Sequence, residues 1–194
     1  MIISQDSPEF SEFQNIKRKF FALRNGIVAD SLKKGGCPQQ IVFGLTMPEM
    51  MQVAVSTRRS AELARQLWAN DTTRESLLLA TMIWPEEELT REEASSLIAS
   101  TPSVEIADSL CHKLLRKTPY AFDLADQFAG DSRDLSRYIA VRLAFNLLNS
   151  NLDRAEKIAR NLLSDAFKPA SSTARALLSE IKFIRGEEEE ETRP

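Results

Sequence analysis

Ser132-Arg133-Asp134-Leu135-Ser136-Arg137-Tyr138-Ile139-Ala140-Val141-Arg142-Leu143-Ala144-Phe145-Asn146-Leu147-Leu148 reads as a helix covered on two sides. Leu135, Ile139 and Leu143 recur at every fourth residue on one side, and Ala140, Ala144 and Leu148 do so on another. One apolar stripe marks a helix lying on a core; two stripes require neighbours on both flanks. This segment is therefore an interior member of a stack of helices.

Working outward, the same texture returns in pairs. The periodicity predicts Arg58–Ala69 with Thr73–Ile83, Arg91–Ala99 with Ser103–Arg116, Pro119–Ala129 with Ser132–Leu148, and Asp153–Leu163 with Pro169–Ile184. The connectors Asn70-Asp71-Thr72, Ser100-Thr101-Pro102 and Gly130-Asp131 supply capping residues or a proline for the next helix start. The apolar residues before the connectors, Leu67, Leu97, Phe128 and Leu162, are spaced by 30, 31 and 34 residues. Two helices repeated at such a period are the mark of an all-α superhelix, a solenoid of the HEAT or armadillo kind. Upstream, one helix is predicted from Ser11, its cap, to Lys34, stopped by Gly35-Gly36 and Pro38. Gln39–Leu45 reads as an apolar connection, and Pro48 as the start of a short helix through Val55.

Composition agrees with this and narrows the function classes. The chain has 194 residues, 43% hydrophobic and 27% charged, which excludes general disorder. Six glycines and eight prolines are too few for the many turns of an all-β domain. The longest nearly apolar run, Ser76–Trp84, is about half of a bilayer span, and Met1–Phe10 shows no apolar leader segment. A soluble, cytoplasmic monomer with no membrane association is expected. The net charge of −3 includes Glu187–Glu191; without residues 186–194 the chain carries 24 basic and 23 acidic residues. The reading is one helical domain over 1–185 and a solvated, disordered acidic tail over 186–194. Cys37, Cys111 and the single His112 offer neither a disulfide framework nor metal-ligand spacing, and no cofactor is expected.

Leu63-Ala64-Arg65-Gln66-Leu67-Trp68, followed by Arg74-Glu75-Ser76-Leu77-Leu78-Leu79-Ala80, resembles the paired helices of the HEAT-like-repeat alkylpurine DNA glycosylases, the DNA alkylation repair superfamily. Phe20-Phe21-Ala22-Leu23-Arg24-Asn25-Gly26 and Val42-Phe43-Gly44-Leu45 are similar to its entry region, and the likeness covers roughly residues 12–180. In that family a Trp-Asp-Leu-Val-Asp segment carries a catalytic carboxylate; here it corresponds to Val104-Glu105-Ile106-Ala107-Asp108. The resemblance thus implies a catalytic role for Asp108 and, from Ser136-Arg137-Tyr138-Ile139-Ala140, for Arg137. It also implies duplex DNA with alkylated purines as partner. Val104 stands where the family has a stacking tryptophan, and Pro169–Ile184 contains no tryptophan, only Phe183. An aliphatic side chain offers no ring face to a cationic base, so weakened or lost base excision is expected.

Each candidate has a plain alternative. Asp108 and His112, four residues apart, form either an acid–base couple or an ordinary surface pair. Arg133 and Arg137 either grip phosphate or pair with Asp131, Asp134 or a neighbouring repeat. Lys113, Arg116 and Lys117 either contact phosphate or complement a helix dipole. Trp68 and Trp84 are expected in the core. The function read from this is a DNA-binding, DNA-repair-type protein using Arg133, Arg137, Lys113 and Arg116. The alternative, suggested by the near-neutral body, is a non-enzymatic scaffold that takes a protein partner on its concave face.

Overall fold

The computed structural model describes residues 11–186. The acidic run from Glu187 onward lies outside the described residues. Within them the structure is helical throughout, with one isolated parallel bridge between Ile41 and Thr73. Two compact units divide after Glu88. No described helix is long and apolar enough to cross a membrane.

The first unit holds α1 (Glu12–Ala22), α2 (Gly26–Lys34), α3 (Met47–Val55), α4 (Ala61–Ala69) and α5 (Arg74–Ile83). Ser11 caps α1 through a capping box with Gln14. The single helix expected over Ser11–Lys34 is instead two. Asn25 breaks it: its side chain accepts from the N–H groups of Ile27 and Val28, capping a new helix, while its own N–H donates to Phe43 O at 2.8 Å. The connection after α2 is pinned by α5. Glu75, fully buried, accepts from the backbone N–H of Phe43 (3.1 Å) and Gly44 (3.0 Å) and from Arg74 Nη1 (2.9 Å). Arg74 Nη1 also donates to Leu45 O, and Leu45 is itself fully buried. Gly44 has φ +80°, and a Cβ there would overlap the Asn25 carbonyl and stand 2.7 Å from Ala29 N. Only glycine lets this segment lie against α2. Trp84 is buried, with the Arg65 guanidinium 5.5 Å over its ring, whereas Trp68 is half-buried.

The second unit holds α6 (Arg91–Ser100), α7 (Val104–Ser109), α8 (Ala121–Phe128), α9 (Asp134–Asn146), α10 (Leu152–Leu162) and α11 (Lys168–Arg185). Ser, Thr and Asn caps start several of them. Thr90 and Glu93 form a capping box on α6, Ser103 accepts from Ile106 N, and Asn151 accepts from Arg154 N. The interior position expected for Ser132–Leu148 is realised in α9. It packs on α7 and α11 and against α6, α8 and α10, burying Tyr138, Ile139, Ala140, Val141, Leu143 and Ala144.

The largest departure is in the helix expected over Ser103–Arg116. The α-helix ends at Ser109, one π turn follows over Leu110–Leu114, and a 3₁₀ turn closes at Leu115–Lys117. A π turn inserts extra backbone into the helical ladder and rotates everything beyond it. Leu110, Cys111, Leu114 and Leu115 are thereby all turned into the core, and Cys111 Sγ lies 3.7 Å from Ile139 O.

Candidate functional site

Asp108 sits one residue before the end of α7, immediately ahead of the π turn. Its Oδ1 accepts a 2.6 Å hydrogen bond from the Tyr138 hydroxyl of α9. The same oxygen is 2.9 Å from Arg142 Nε, one turn further along α9. That Nε–H is not aimed at any acceptor among the described residues, so the contact is an ion pair rather than a hydrogen bond. Asp108 and Arg142 are each a little over one-third exposed, so their attraction is screened; the aligned, partly buried Tyr138 bond fixes the carboxylate. Burial, and then the bond to Asp108, hold the Tyr138 phenol well above the usual tyrosine range, so it stays a donor. Burial likewise pushes the Cys111 thiol up, leaving an inert sulfhydryl beneath the site.

The two alternatives for Asp108 resolve in neither expected form. Its partners come from α9 and not from His112. The imidazole is exposed on the π turn without a hydrogen-bond or ionic partner among the described residues. Partial burial and the positive charges of Arg116, Lys113, Arg142 and Lys117 hold it below the ordinary histidine range. Four positive charges thus act on one exposed ring, one turn along the chain from Asp108. Lys113 and Arg116 form no ion pair among the described residues, so their charge faces outward.

Arg133 and Arg137 are placed differently. Arg133 reaches back to the end of α6, donating to the carbonyls of Ile98 (3.3 Å), Ala99 and Thr101 (3.2 Å), groups left over by that helix terminus. Arg137 Nε donates to Asp165 Oδ2 at 2.6 Å and Nη2 to Asp165 Oδ1 at 3.2 Å, a two-pronged bond. Its remaining donors go to Asp134 Oδ1 (2.7 Å) and to the carbonyls of Asp131 (2.9 Å) and Ser132 (3.0 Å). These are the intramolecular partners that the plain reading expected, with Asp165 supplied by the next repeat. The hydrogen bond from Arg137 holds the Asp165 carboxyl below the usual carboxylate range. Asp165 also accepts from Phe167 N–H at 2.8 Å, and the Phe167 ring meets Tyr138 edge-on, 6.4 Å between centroids. Arg137, through Asp165 and Phe167, therefore supports the wall behind Tyr138.

Val104, at the start of α7, is half-buried and aliphatic. Tyr138 and Arg142 are the residues of the site that the sequence reading did not select. A signal for the first was present, since one repeat of 30 residues carries position 108 to 138.

Stacked helix pairs holding a carboxylate at a helix end, beside outward-facing cations, define a helical-repeat protein of the HEAT-like class. Residues 16–169 match the family described as DNA alkylation repair enzyme, and the chain belongs to that family. A solved structure described as "A new family of proteins related to the HEAT-like repeat DNA glycosylases with affinity for branched DNA structures" superposes with a TM-score of 0.77. The match covers 90% of this chain and 78% of that one at 15% identity. No curated protein sequence matches the chain.

Proposed function

We propose that this protein binds DNA through the face around Asp108 and does not excise bases. The observation that carries the second half is the state of Asp108. A carboxylate that is to stabilise positive charge on a sugar must keep its negative charge directed at the reacting carbon. Here Oδ1 is taken by Tyr138 and countered by Arg142. With Val104 in place of a stacking ring, a cationic base would meet no ring face from position 104 and a carboxylate with one oxygen already engaged.

The first half rests on family membership and on the cations. Lys113 and Arg116, with Arg142 behind them, present charge suited to phosphate oxygens, whereas Arg133 and Arg137 hold helix ends. The structural neighbour's affinity for branched DNA makes junctions a substrate class to test beside plain duplex. A second reading, protein docking, draws on the first unit, where Phe21, Ile27, Met47, Met51 and Val55 are exposed.

The test pairs two assays. Binding to a duplex and to a four-way junction is measured against salt, with a log–log slope of several units expected. Base release is measured from N3- or N7-methylated duplex for wild type, Val104→Trp, and Val104→Trp with Asp108→Asn. Wild type is expected to release no base above background. Robust release would overturn the non-excising reading, and salt-insensitive or absent DNA binding would favour the protein-docking one.

A further inference from the structure

His112 has no place in the chemistry above, yet it is exposed on the segment that carries Lys113, Arg116 and Lys117. Resting on the DNA-binding reading, we propose that His112, as imidazolium, is a ligand of the bound backbone phosphate, so that this face takes up one proton as DNA docks.

The geometry supplies the reason. His112 is exposed on the π turn with both ring nitrogens unpartnered among the described residues. Lys113, Arg116 and Lys117 follow it on the same segment, Arg116 one turn on, and Arg142 of α9 lies against Asp108 one turn before it; all four positive charges act on the ring. Asp108 on α7, the nearest carboxylate in sequence, is directed to Tyr138 and Arg142 and not to the imidazole. A ring with a free N–H donor beside several cations is placed to meet an anion. In the free protein, partial burial and then the neighbouring cations disfavour the charged ring. A phosphate oxygen placed among them offsets that field and accepts a hydrogen bond from the ring, and both effects favour the charged form. The Cys111 thiol and Tyr138 phenol are pushed upward, away from the neutral range.

Proton uptake requires affinity to rise as pH falls. Each unit by which DNA raises the His112 pKa is worth up to about tenfold in affinity between about pH 7.5 and about pH 5.5. The experiment measures anisotropy of a labelled duplex and a four-way junction at fixed salt across that range, for wild type, His112→Gln and His112→Lys. Because this chain has a single histidine, the ring is also followed directly by NMR, free and DNA-saturated. Wild type is expected to tighten severalfold to about tenfold towards the acid end. His112→Gln should be flat and weak, His112→Lys flat and tight, and the histidine titration should move upward when DNA is bound. A wild-type profile parallel to that of His112→Gln, or a histidine titration unmoved by saturating DNA, would overturn the proposal while leaving DNA binding intact. Absence of salt-dependent DNA binding at every pH would overturn both.

Discussion

Arg137→Ala separates a structural arginine from a DNA-contacting one. In the wild type, the Asp165 side chain is 6% exposed and the Arg137 side chain 18% exposed, with a two-pronged bond between them. Removing the guanidinium leaves Asp165 with the Phe167 N–H as its remaining hydrogen bond. Breaking a buried pair from one side costs about 3–5 kcal/mol, and the partial exposure of Arg137 puts this case near about 3 kcal/mol. For a chain of this size that lowers Tm by roughly 6–12 °C. Adding Asp165→Ala should cost less than the sum of the singles, with a coupling of about 1–2 kcal/mol. The pH dependence has a definite sign. The folded carboxyl of Asp165 lies below its unfolded value. The pair's stabilisation is therefore complete above about pH 4 and fades as pH falls through the lower folded value. Arg137→Ala lacks this contribution at every pH, so its deficit against wild type is largest above about pH 4 and shrinks towards acid. The measurements are urea and thermal unfolding across pH, with duplex binding against salt at a temperature where the variant is folded. A variant as stable as wild type that binds DNA more weakly, with a slope flatter by about one unit, would refute the assignment. It would mean that Arg137 leaves Asp165 for phosphate.

Lys113→Ala with Arg116→Ala should weaken duplex and junction binding alike and flatten the salt slope by roughly one to two units, with unfolding unchanged; an unaltered slope would remove these cations from the interface. Glu75→Gln keeps the shape of the side chain but removes the charge that three backbone N–H groups and Arg74 converge on. It should destabilise by about 2–4 kcal/mol in urea titration, and a near-neutral effect would show that the Phe43–Leu45 connection is held by packing alone. Gly44→Ala should cost about 3 kcal/mol or more, because the methyl meets backbone rather than a side chain that can turn away. Wild-type melting in that variant would exclude the left-handed conformation at residue 44.

The fold was readable because it follows from period and caps. Apolar residues at fourfold spacing and a Ser, Thr or Asn at the start of most helices locate the helix pairs without reference to anything distant. The break at Asn25 was missed for a physical reason. Gly26-Ile27-Val28 continues an acceptable helical pattern, and what tips the balance is the bond from Asn25 N–H to Phe43 O, contributed from eighteen residues away. The π turn at Leu110–Leu114 is of the same kind. Nothing local demands it; the gain comes from turning Leu110, Cys111, Leu114 and Leu115 together against their neighbours.

The site itself shows where sequence resemblance loses resolution. Arg137 and Tyr138 are adjacent in sequence, but successive residues on a helix point about 100° apart. That angle sends Arg137 to the α10–α11 connection and its Asp165, and sends Tyr138, with Arg142 four residues on, to Asp108 on α7. A motif can select the segment, yet the choice between neighbouring side chains is made by which helix stands on which flank. In a stack of helix pairs that choice repeats every thirty or so residues, so each repeat both carries its own side chains and aims those of the one before. Asp108 is held by the following repeat, and Tyr138 is backed by Phe167 of the one after. Stability and site geometry are consequently one property here: a substitution at Asp165, on a connector with no link of its own to Asp108, reaches that carboxylate through Phe167 and Tyr138.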